Sequence, residues 1–102
     1  MARRRKKPAR TIRIQDWELD AANTEELAAH GLTAEILDEV LENRPRFRRN
    51  KKNRAATHQV IGPDSGGQFW VVCVVETGPA IWRPITGWPA ADHETAWWRR
   101  SQ

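Results

Sequence analysis

At 102 residues, 39% apolar and 29% charged, the chain has the length and balance of one small soluble globular domain. No run approaches the roughly 20 apolar residues that span a bilayer. The opening "MARRRKKPAR" lacks the apolar stretch of a secretory signal, and the single Cys73 excludes an intrachain disulfide framework, so a reducing cytoplasm and no membrane contact are expected.

In chain order, residues 1–10 are basic, contain Pro8 and offer almost nothing to pack, which predicts a disordered arm ahead of a single domain over 11–102. "TIRIQDW" alternates apolar and polar residues and predicts a first strand. "NTEELAAHG" predicts a helix capped at Asn23, with Glu26 three residues on as in a capping box and Gly31 at its close. A second helix follows, capped by Thr33, with Leu32, Ile36, Leu37, Val40 and Leu41 on one stripe and carboxylates opposite. From Ile14 to Asn43 the chain holds nine Asp or Glu and no Lys or Arg.

The charge then reverses. "RPRFRRNKKNR", residues 44–54, has seven Lys or Arg in eleven. Period-two alternation puts Phe47 on one strand face and Arg44, Arg46 and Arg48 on the other. "RAATHQVIG" is a further strand candidate, "GPDSGG" is hairpin-turn chemistry, and "QFWVVCVVE" is apolar on both faces, as for a central strand covered on both sides. Strands over 54–61 and 68–76 are expected to pair antiparallel, with 81–86 beside 68–76. "AIWRPITGW" is the last strand, where Pro84 implies an edge or a bulge. "AADHETAWWRR" closes the chain as a helix, with Arg99 and Arg100 at the end its dipole favours. The expected class is α+β, an antiparallel sheet packed against helices in the order β-α-α-β-β-β-α.

One cysteine and the isolated His30, His58 and His93 give no metal-ligand spacing, and neither a glycine-rich nucleotide loop nor a nucleophile elbow is present. No cofactor is expected. The dense basic stretch points to a polyanion, through counterion release, with Arg44, Arg46, Arg48, Arg49, Lys51 and Lys52 as RNA-binding candidates. A solvated charged loop is the plain alternative. Metal-free cleavage is one chemistry these residues suit, because RNA supplies its own 2′-hydroxyl nucleophile. Arg83 and Arg54 suit phosphate charge, and His58 suits proton transfer. Each also has a structural explanation: Arg83 as an arginine lying along the core beside Ile81 and Ile85, His58 as a half-buried strand residue. Trp17, Trp70 and Trp88 are expected in the core, and His93 packed beside Trp97. Trp97 and Trp98, about 100° apart on a helix, cannot both face one core line, which leaves one for an interface or base stacking.

The ordered set "WELD", "ELAAHGL", "TAEILDEVLEN", Arg54, "GPDSGG", "FWVVCVV" and "WRPITGW" resembles the BrnT family of bacterial toxins, within the RelE/ParE-like set, from about Trp17 to Arg100. The resemblance implies a compact α+β ribonuclease toxin that works without metal, with Arg54 and Arg83 at the family's basic sheet positions. It also implies a small ribbon-helix-helix antitoxin as partner, in a hetero-oligomer, with a homodimer as the alternative assembly. The last helix opens "AADHE", acidic where the family's is basic. A non-catalytic nucleic-acid-binding domain and a protein-interaction domain on the same fold stand beside the toxin reading.

Overall fold

A computed structural model describes residues 12–51 and 55–102. The basic arm expected over 1–10, together with Lys52 and Arg54, lies outside the described residues. The chain forms a small α+β domain in the order β1 (Asp16–Trp17), α1 (Ala21–Ala29), α2 (Ala34–Glu42), β2 (Arg46–Arg49), β3 (His58–Pro63), β4 (Phe69–Gly78), β5 (Ile81–Pro89) and α3 (Asp92–Arg100). Among the described residues no helix is long and apolar enough to cross a membrane.

The sheet order is β1-β5-β4-β3-β2. Strands β3 to β5 run antiparallel, as expected, β2 extends this meander by pairing with β3, and the turn after β3 and the bulge at Pro84 fall where the sequence puts them. Two refinements follow from the register. Segments 46–49 and 58–63 are separate strands, so one more strand follows the helices than in the expected order. The short β1 joins the opposite edge in parallel, pairing Asp16 with Ile81 and Trp17 with Trp82. The two helices carry the chain from that edge across to β2. Ile12 and Ile14 pack against the core ahead of β1, so the first strand is shorter than "TIRIQDW" suggests.

Helix α1 begins three residues earlier than expected. Its cap is Asp20, whose side chain accepts from Asn23 N, while Asn23 Oδ1 accepts from Asp20 N. Asn23 is therefore not the cap but the buried third helical residue. Its Nδ2 donates to Glu18 O at 2.9 Å and to Pro84 O at 3.0 Å. That second bond joins α1 to the bulged stretch of β5. Gly31, at φ +87, makes the turn into α2, and Thr33 caps α2 as expected.

The sheet has two covered faces. On one, Val60, Trp70, Val72, Val74 and Trp82 pack against Leu27, Leu32, Leu37 and Val40 from the helix pair. On the other, Ile61, Val71 and Cys73 are buried beneath the side that carries α3. Helix α3 is pinned there by Trp98, whose ring meets Phe69 edge-on at 5.0 Å and whose Nε1 donates to Arg44 O at 2.9 Å. Trp70 lies in the core as expected, whereas Trp17 and Trp88 are only half-buried, and the deepest tryptophan is Trp82.

Candidate nucleic-acid interface

The meander fixes which basic residues meet. Register pairs Phe47 with Val60 toward the helix pair, and Arg46 with Ile61 and Arg48 with Gln59 toward α3. Arg46 and Arg48 therefore share a face, as alternation predicts. Arg44 does not join them: it precedes β2 in a left-handed turn at φ 55, a costly conformation for a residue with a Cβ. Arg46 is half-buried, and its Nε is sealed from water without a hydrogen-bond partner among the described residues, so its stem serves packing.

Arg48 is the centre of the site. Its Nε donates to Gln59 Oε1 at 2.8 Å, which fixes the guanidinium plane. The guanidinium lies 4.8 Å from the ring centroid of Trp97. Together with Arg49, Asn50 and Lys51 these residues line a cleft of about 520 Å³. Helix α3 thus divides its two neighbouring tryptophans: Trp98 anchors the helix, and Trp97 faces the cleft. A clustered positive charge with an aromatic ring set into it provides phosphate attraction and a stacking surface together.

Of the proposed cleavage residues, His58 and Arg83 are not brought together. Pairing puts His58 opposite Val74 and Arg83 opposite Val75, so they project from opposite sheet faces. The His58 ring lies edge-on to the core Trp82 at 5.5 Å, and its Nδ1 is 2.9 Å from Thr57 Oγ1. Arg83 donates twice to Asp20, at 2.8 and 3.1 Å, and once to Glu18 at 3.1 Å. The Asp20 bond raises the arginine's pKa, and Arg83 in turn holds the Asp20 carboxyl below its ordinary value. A phosphate at Arg83 would have to displace two carboxylates. Strand β5 is also three steps from β2, about 14 Å at the usual strand spacing. The sequence does not show this separation, because the carboxylates that occupy Arg83 lie more than sixty positions away, just after β1.

Beyond Arg48, a second cavity of about 390 Å³ opens between β4, β5 and the start of α3. Cys73 lies on it, Ile85 and Trp88 wall it, and Asn50 and Gln59 line both it and the basic cleft. Glu94, 6% exposed, closes it. Its carboxylate accepts from Ala91 N and Trp88 Nε1 and lies 3.9 Å from Arg48 Nη2. Burial pushes the Cys73 thiol up to about 11, with the nearby Glu94 charge adding to the effect. Glu94, Gln59, Asn50 and Trp88 are the site residues that sequence reasoning missed. A signal existed for Gln59, which shares the strand face of Ile61 and sits opposite Arg48. None existed for Glu94, which looks like an ordinary first-turn carboxylate. His93, expected to pack beside Trp97, is instead exposed.

No family model matches the chain, and no curated protein compared with it does.

Proposed function

We propose that this is a nucleic-acid-binding domain, working in the cytoplasm, that holds single-stranded RNA in the cleft between β2 and α3. The observation that carries the reading is the Arg48–Trp97 contact at 4.8 Å, set in a cleft that Arg49 and Lys51 also line among the described residues. Flexible single strands present phosphates and unstacked bases together, and the cleft offers a partner to each. Affinity measured by fluorescence anisotropy should fall steeply with salt. Replacing Arg48, Arg49 and Lys51 with Gln should flatten the log–log slope by about 0.7 for each phosphate that is no longer neutralised. Trp97→Ala should weaken binding by about 1–3 kcal/mol, the worth of one stacked base. A salt-independent interaction, or unchanged binding by both variants, would remove the cleft from the interface.

Metal-independent RNA cleavage, as in the toxins the sequence resembles, is the second reading. It is favoured by the element order, a helix pair before an antiparallel meander and a closing helix. On this reading Arg48, rather than the ion-paired Arg83, carries the phosphate charge, and a small antitoxin is the neutralising partner. Incubating labelled RNA in EDTA beside its 2′-deoxy analogue separates the two readings. Products ending in a 2′,3′-cyclic phosphate, from RNA alone, support cleavage. RNA that is bound yet intact leaves the binding function by itself.

A further inference from the structure

We propose that the cavity beside the basic cleft is a nucleobase pocket that takes a base carrying an exocyclic amino group and rejects uracil. The inference rests on the RNA-binding reading above and assigns that site its base preference. At about 390 Å³, apolar along Cys73, Ile85 and Trp88 with a few convergent polar groups, the cavity has the build of a small-ligand site. It adjoins the basic cleft, with Asn50 and Gln59 lining both. A strand whose phosphates lie on Arg48, Arg49 and Lys51 can therefore turn one base inward.

The polar atoms decide which base. Glu94 Oε1 accepts from Ala91 N at 2.8 Å, and the single Trp88 Nε1 hydrogen is shared between Oε1 at 3.2 Å and Oε2 at 3.3 Å. Among the described residues, Oε2 has only the longer 3.3 Å approach of Trp88 Nε1, with Arg48 Nη2 at 3.9 Å, beyond hydrogen-bond reach. One charged acceptor position is left open. Gln59 Nε2 donates to Asn50 Oδ1, and Asn50 Nδ2 donates to Ala56 O, so each amide already has an N–H engaged. Gln59 Oε1 likewise accepts from Arg48 Nε, and Asn50 Oδ1 from Gln59 Nε2, so the amides are balanced and the Glu94 carboxylate, an acceptor only, sets the cavity's preference. Adenine, cytosine and guanine each bring an amino donor on a flat apolar body. Uracil brings two carbonyl oxygens flanking one N–H, and a carbonyl against the Glu94 carboxylate leaves two acceptors facing each other. A buried site built around a hydrogen bond rejects the analogue that lacks it.

The test uses the full chain and labelled heptauridylates whose central residue is adenosine, cytidine, guanosine, uridine or purine riboside, which is adenosine without its amino group. The amino-bearing oligonucleotides should bind roughly tenfold or more tighter than the all-uridine one, since hydrogen bonds to a charged group are the stronger kind. Purine riboside should lose the gain that adenosine shows. Glu94→Gln can keep an oxygen for Ala91 N while removing the charge, and should erase the preference without abolishing binding. Equal affinity for all five oligonucleotides, or a preference that survives Glu94→Gln, overturns the pocket and leaves RNA binding standing. Free adenosine monophosphate binding as tightly as the adenosine heptamer overturns the inference in favour of a mononucleotide site. Failure to bind any oligonucleotide overturns both proposals. The wild-type series decides the matter even if the Glu94 variant does not fold.

Discussion

Cys73 shows how one side chain ties stability to the cavity. It is buried in the middle of the central strand, and its thiol pKa is pushed up to about 11, first by desolvation and then by the Glu94 charge. The folded protein therefore keeps the thiol neutral, while the unfolded chain ionises near 8.5. A raised folded-state pKa gives a contribution that is intact below the unfolded value and lost as pH rises between about 8.5 and about 11. Denaturant unfolding across that window should show a fall in stability that Cys73→Ser, whose hydroxyl does not titrate there, largely lacks. An equal fall in both proteins would assign the effect to other groups. Cys73 is legible in the sequence as a buried residue, since "WVVCVV" is apolar on both sides. Its position on a cavity is not, because β5 and α3 supply the remaining walls.

Among the elements, the close approach of β5 to the helix pair depends on Gly87. A Cβ built there would lie 2.4 Å from Leu32 Cδ1 and 2.7 Å from Val71 O, the latter a backbone atom that cannot step aside. Gly87→Ala should therefore destabilise the fold by about 1–3 kcal/mol, the usual cost of overpacking. A thermal melt unchanged from wild type would show that β5 can shift outward at no cost. The "TG" of "WRPITGW" is thus a packing requirement and not a turn, although isolated Gly in a strand reads either way. Pro84 shows the reverse. Its lack of an N–H announces a bulge in the sequence, and the bulge is where its carbonyl accepts the Asn23 bond. The Asp20 cap of α1 escaped detection because Asn23–Glu26 also has capping-box spacing. Asn23 is instead drawn inward by two backbone carbonyls, one of them on β5.

For the whole molecule, the both-sided burial of β4 sets the order of opening. Residues 70–74 are all buried and are flanked by β3 and β5, so amide exchange should be slowest there and fastest toward β1 and β2 at the edges. Rapid exchange over 70–74 under native conditions would contradict this architecture. The α+β class, the hairpin after residue 61, the central strand, the helix pair and the basic composition of β2 could all be read from the amino-acid order. Those properties depend on residue type and local period, which an unfolded chain already carries. Which charges meet could not be read that way and came from the folded arrangement. Arg83 is taken by carboxylates that β1 brings alongside β5, His58 faces the core, and Arg48 meets Trp97 because α3 returns across the sheet. Alternation assigns a residue to one side of its own strand, but the order and register of the strands decide what lies opposite it.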